Sequence, residues 1–238
     1  MKFASEKMVL PAFPKTAHLP HEPNTDHTDA VASVEEAGII FTHPINIEEK
    51  IDCASMGTTL YEGHPLIRNR DHILRKGYVK DTAAKKQFAS AWTWFYNNKA
   101  KFEAIQEIGP YSVYGEWCVA QHGLAYTALP DWFVAYDLYD YERSLFLPPP
   151  DARKWLAEAG FTVPYLHHQG VFDGGYEELA ALARTISQWT EDKTEGIYVK
   201  VYDDKSVTHR FKMVRPDFVR GALWNPKKLT KNKLAEKK

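Results

Sequence analysis

The hydrophobic period of this chain changes along its length, and that change limits the folds open to it. Strand-like runs come at "GIIFT" (38–42), "INIEEKID" (45–52) and "GTTLY" (57–61), and in the second Ile45, Ile47 and Ile51 alternate with polar residues, the spacing of a strand with one buried face. Over 82–107 the apolar side chains fall three and four apart instead. Phe88, Trp92, Phe95, Phe102 and Ile105 form a helical stripe that Gly109 and Pro110 stop. Strand signals return at 111–120, 131–140, "TVPYL" (162–166), 195–203 and 207–215. The last two are joined by a hairpin-like turn at Asp203–Ser206. Helical stretches are expected at 151–159 and at 176–189, the latter with Leu179, Leu182, Ile186 and Trp189 on one face. Strands mixed with helices and no internal repeat make the expected class α+β.

At 238 residues the chain can bury a sizeable core. No apolar run approaches the roughly 18 residues that cross a membrane, and "MKFASEKMVL" lacks the apolar stretch of a secretory signal. A cytoplasmic chain, or a nuclear one in a eukaryote, is expected. Two cysteines, Cys53 and Cys118, exclude a disulfide framework and a Cys-rich zinc site. Residues 1–37, rich in Pro, His and Asp, read as an extended arm, 38–220 as the main domain and 221–238 as a basic tail. The tail ends in "KKLTKNKLAEKK", six lysines against one glutamate, in a chain whose formal charge is only −1. Such a tail reads first as a solvated end, and more sharply as an auxiliary contact to nucleic-acid phosphates.

The chemistry begins at Lys50. A period of two puts Lys50 and Asp52 on one strand face. A lysine is a nucleophile only as the free amine, and Glu48, Glu49 and Asp52 favour the ammonium form. A divalent cation held by those carboxylates, or other cationic side chains in the site, reverses the sign. Downstream lie Arg68 and Arg70 in "IRNRD", Glu116 in "YGEW", Tyr136 in "VAYDLYD", Glu195 and Lys200 in "EGIYVK", and Arg210 and Lys212 in "HRFKMVR". Each alone reads as an ordinary core or surface residue. Strict alternation puts Glu195 and Lys200 on opposite faces, so a bulge, or a Glu at the very start of the strand, is expected.

In this order the motifs resemble the covalent nucleotidyltransferase superfamily of ATP-dependent RNA and DNA ligases and capping enzymes. Its signature runs Lys-x-Asp-Gly, Arg, Gly-Glu, aromatic-Asp, Glu-Gly and a basic strand. The 20 residues between Glu116 and Tyr136, with "FPKTAHLP" and "KMVRPDF", make the likeness nearest to ATP-dependent RNA ligases, over about residues 13 to 220. The resemblance implies an α+β nucleotidyltransferase (ATP-grasp-like ligase) domain of antiparallel sheets with flanking helices. It implies a monomer that uses ATP and Mg²⁺ or Mn²⁺ to join RNA 3′-hydroxyl and 5′-phosphate ends through lysyl-AMP.

By the same resemblance, Lys50 attacks the α-phosphate, and Asp52 and Glu195 orient the metal through water. Glu49 meets adenine through its backbone, Glu116 binds ribose and Tyr136 stacks on adenine. Ser55 and Arg70 serve the phosphate region. Lys200, Arg210 and Lys212 neutralise phosphates. Cys53 replaces the signature glycine, Arg210 replaces a lysine, and little chain follows residue 220, where relatives carry a further domain. The rival readings are a capping guanylyltransferase, a DNA ligase, and a catalytically silent nucleotide- or RNA-binding module.

Overall fold

The computed structural model describes residues 5–20, 25, 29–76, 86–225 and 227–236. Its strands form two five-stranded sheets. The first has the order β1-β10-β9-β2-β8, built from β1 (Ala17–His18), β2 (Pro44–Lys50), β8 (Leu166–Val171), β9 (Gly196–Tyr202) and β10 (Val207–Val214). Only the β1–β10 pair is parallel. The second has the order β4-β3-β5-β6-β7, all antiparallel, from β3 (Ala54–Tyr61), β4 (His64–Arg68), β5 (Tyr111–Trp117), β6 (Phe133–Asp140) and β7 (Leu145–Phe146).

Each sheet turns one face to its own apolar core. Ile45, Ile47, Ile197, Val199, Val201 and Phe211 of the first sheet pack with Ala37, Ile40 and Leu179. Met56, Val113, Trp117, Phe133 and Leu138 of the second pack under three helices, α3 (Ala91–Asn97), α4 (Lys99–Ile108) and α5 (Pro149–Glu158). The remaining faces meet across a cleft. On the first sheet the register sets Lys50 beside Gly196, Glu48 beside Tyr198, Lys200 beside Arg210, and Tyr198 beside Lys212. By the alternation of strands these residues share one face, opposite the isoleucines and valines.

Three local rules overrode the sequence periodicity. "GIIFT" is not a strand. A capping box, with Ser33 Oγ accepting from Glu36 N (3.1 Å) and Ser33 N donating to Glu36 Oε2 (2.8 Å), starts helix α2 (Val34–Gly38), which tightens into a 3₁₀ turn at Ile39–Phe41. The stripe expected at 82–107 is two helices, parted at Asn98, whose Nδ2 donates to the Trp94 carbonyl (2.8 Å). Residues 82–85 of that expectation lie outside the described residues. The stretch 176–189 is helical only at α6 (Tyr176–Leu182), where Thr185 Oγ1 takes the Leu182 carbonyl (2.9 Å) and leaves Ile186 71% exposed. A short first helix, α1 (Glu6–Val9), lies in the arm.

"TVPYL" is also more than one element. Thr162 bridges to Val134 of the second sheet, whereas Leu166 opens β8 in the first. The turn at Asp203–Ser206 is as expected, with Asp203 Oδ1 accepting from Lys205 N and Ser206 N, both at 2.8 Å. The basic tail is not a free end. Its Asn232 is 3% exposed; it accepts from Tyr126 N (2.9 Å) and donates to the carbonyls of Cys118 (2.9 Å) and Ala120 (3.0 Å).

Candidate active site

Lys50 is the last residue of β2, and Glu195 immediately precedes β9 on the neighbouring strand. Placement before the strand, rather than a bulge within it, lets Glu195 reach the site face. Lys50 Nζ lies 2.6 Å from Glu195 Oε2. Asp52 follows on the loop to β3, and its Oδ2 accepts from the backbone N–H of Gly123 and of Leu124 (2.8 Å). Glu116 stands on β5 opposite Ser55 of β3.

A β-bulge in β6 sets the aromatic. Tyr114 pairs with Asp137 and Gly115 with Ala135, so Tyr136 is the extra residue between them. Its ring lies 6.2 Å from that of Tyr198, at 28°, and its hydroxyl hydrogen-bonds Ser55. Gly115 and Gly196 are required by close approach. A Cβ on Gly115 would stand 2.3 Å from the Val134 carbonyl, and one on Gly196 would stand 1.9 Å from that of Met213.

Two cavities meet at Lys50. One, of about 50 Å³, is lined by Glu48, Glu49, Lys50, Ile51, Glu116, Tyr136, Pro164 and Tyr198. The other, of about 510 Å³, includes Lys50, Ser55, Arg70, Glu116, His122, Glu195, Lys212 and Arg220. The first is a small aromatic slot and the second a broad polar basin. Lys50, Ile51 and Glu116 border both.

The electrostatics show an unmet demand for positive charge. Burial pushes the carboxyls of Asp52, Glu116 and Glu195 upward, although Lys50 pulls each the other way. Burial works against the Lys50 charge, but Glu195, with help from Glu116 and Asp52, outweighs it and holds the amine above its ordinary value. Lys212 moves oppositely: burial and then the Lys50 charge lower it, against the pull of Asp29. Glu116 Oε2 is buried with no hydrogen-bond partner. Among the described residues no three His, Cys, Asp or Glu side chains are grouped to hold a metal ion directly.

The sequence expectations divide. Lys50, Ser55, Arg70, Glu116, Glu195 and Lys212 all border the basin; Glu49 and Tyr136 border the slot. Lys200 and Arg210, expected to neutralise phosphates, are already paired with buried acids. Lys200 is fully buried between Glu48 Oε2 (2.8 Å) and Asp137 Oδ1 (3.1 Å) and donates to the Tyr136 carbonyl (2.7 Å). Arg210 Nη1 holds Asp137 Oδ2 (2.8 Å), with its guanidinium over the rings of Phe146 and Phe13. Tyr198, His122, Asp29 and Arg220 were missed. A period of two from Gly196 reaches Tyr198; the other three carry no local sequence signal. Cys53 borders the basin and interacts with Cys118, burial pushing both thiols up.

The profile of the RNA ligase family matches residues 43–214. The chain belongs to that family. The match spans β2 to the end of β10 and so contains every element that borders the slot. No curated protein matches the sequence. Among solved structures, a Naegleria gruberi RNA ligase mutant in its apo form is similar, with a TM-score of 0.57 and 18% identity over 86% of this chain and 57% of that one. The same ligase with pyrophosphate gives 0.57 and 18% over 86% and 61%. A mutant with ATP and manganese gives 0.54 and 20% over 75% and 51%. These likenesses carry the nucleotidyltransferase-like α+β fold. The chain spans between 51% and 61% of the length of these three ligase chains.

Proposed function

We propose that the chain is an ATP-dependent RNA ligase acting through a covalent lysyl-AMP at Lys50. One observation carries this: the Lys50 amine stands where an aromatic slot and a polar basin meet. A nucleoside on one side and a polyphosphate on the other put an α-phosphate beside Nζ. Glu116, Tyr136 and Tyr198 line the slot. Its fit to a nucleoside is specific. Tyr136 and Tyr198 offer ring faces, the unpartnered Glu116 Oε2 offers an acceptor for ribose hydroxyls, and the Glu49 backbone borders the base.

Arg70 and Lys212 face the polyphosphate in the basin. Nζ attacks the α-phosphorus; the N–P bond forms as the bond to pyrophosphate breaks. The proton on Nζ has Glu195 Oε2 as the acceptor within reach. Lys200 acts at one remove, holding the bulge carbonyl at Tyr136. Asp52 and Glu195, crowded and pushed up by burial, fit a divalent cation held through water. Such a cation supplies the positive charge that lowers the amine's affinity for its proton and meets the charge developing on phosphate. AMP then passes to an RNA 5′-phosphate, and a 3′-hydroxyl displaces it.

Intact-mass measurement after incubation with each nucleoside triphosphate and Mg²⁺ or Mn²⁺ tests this. AMP on the wild type and none on Lys50→Ala is expected. GMP instead indicates capping chemistry, and no adduct with any nucleotide sinks the enzymatic reading. Sealing assays on nicked RNA, nicked DNA and single-stranded RNA then identify the substrate, with RNA joining expected.

A further inference from the structure

After β10 the chain returns to the cleft. Arg220 borders the basin and pairs with Asp29 at 2.8 Å. Leu223 N donates to the His122 carbonyl (2.7 Å), and the Trp224 ring lies 5.0 Å from the His122 ring, which also borders the basin. From this lip the chain runs along the 119–129 loop. Gln121 N donates to Thr230 O (2.9 Å), Asn232 N to Val119 O (3.0 Å) and Lys233 N to Tyr126 O (2.9 Å). Asn225 Oδ1 accepts from the backbone N–H of Lys227 (2.9 Å) and Lys228 (3.2 Å). Residues 220–225 and 227–236 are thus an anchored strap.

Backbone bonds and the buried Asn232 hold the strap; its charges do not. Lys227, Lys228, Lys231 and Lys233 are all exposed, with Lys231 and Lys233 flanking the inward Asn232. Among the described residues none of these four amines is in an ion pair with an acid. The last twelve residues carry six lysines and one glutamate, in a chain of net charge −1. A fixed row of free amines that starts at an aromatic ring beside the cleft matches a single nucleic-acid strand. Lysines meet successive phosphates, and a ring face meets a base.

Resting on the ligase reading, we infer that this strap is the track for the RNA strand whose end enters the cleft. Phosphates lie on the four lysines and a base lies near Trp224. The test is binding of a 5′-phosphorylated single-stranded RNA oligonucleotide at several salt concentrations, to the wild type and to a variant with all four lysines changed to Gln. The slope of log affinity against log salt is expected to fall by about 0.7 per lost phosphate contact, so by up to about 3. A variant with the four lysines changed to Arg is expected to bind as the wild type does. Trp224→Ala is expected to weaken binding about tenfold without changing the slope. Equal affinity and equal slope for wild type and Gln variant overturn the track. If the quadruple variant fails to fold, single Lys→Gln changes, each worth about 0.7 in slope, carry the same test. Adduct formation is measured on the same wild-type preparation. A wild type that forms no adduct removes the ligase reading, whereas the RNA titration still decides the track.

Discussion

Glu49 and Lys50 are neighbours with opposite fates. Lys50 faces the cleft; Glu49 faces inward, 2% exposed, with its Oε1 unpartnered. Burial raises the Glu49 carboxyl from 4.5 to about 7, against hydrogen bonds from Ser187 and Gln188. The sign follows from linkage. Below the lower value both folded and unfolded chains hold the proton. Between the two values only the folded chain holds it, so stability falls as pH rises through that window, by up to about 3 kcal/mol. Glu49→Gln removes this loss. Its thermal midpoint is expected to exceed that of the wild type at a pH of about 8 and to match it at about 4. An equal difference at both pH values would assign the effect to packing instead. Lys50, Glu116, Tyr136 and Glu195, which border the slot and the basin, were legible from their order along the chain. The inward turn of Lys200 and Arg210 was not, because Glu48 and Asp137 come from other strands and no spacing announces the pairs.

At the scale of the element, the motif glycines mark where backbones touch. Gly196 opens β9 beside Lys50 and against the Met213 carbonyl of β10, so an added methyl must push two strands apart. Gly196→Ala is expected to cost at least about 1–3 kcal/mol, the range for overpacking. It should also lose AMP labelling by displacing Lys50 from Glu195. Gly38→Ala is the contrast. Nothing lies within 4 Å of its Cβ position and the residue is helical, so it should stabilise by about 0.4–1 kcal/mol. Thermal melts and intact mass on both variants check this; a Gly196→Ala protein that melts and labels like the wild type would contradict the geometry. Period-two alternation revealed most strands. The sequence pattern, strand-like or helical, failed where side chains bond their own backbone, as Ser33, Asn98 and Thr185 do. It also could not reveal the Tyr136 bulge, which exists only as a mismatch between two strands.

For the whole molecule, the stretch matched by the family profile is not the complete fold. Val9, Leu10 and Leu19 of the arm are fully buried, and β1 extends the first sheet from outside residues 43–214. The two sheets differ in how the chain threads them. The second is assembled from β3 to β7, all within residues 54–146, whereas the first sets β2 between β8 and β9, more than a hundred residues later. Pairings so distant in sequence are slow to close. In pulsed hydrogen exchange during refolding, amides of β3, β5 and β6 are expected to gain protection before those of β2; simultaneous protection would contradict this order. The same threading bears on the chain as it is made. Lys50 emerges from the ribosome well before Glu195, its ion-pair partner, and before the basic strand β10. A growing chain therefore carries Lys50 without its acidic and basic neighbours until residues 195–214 have been added.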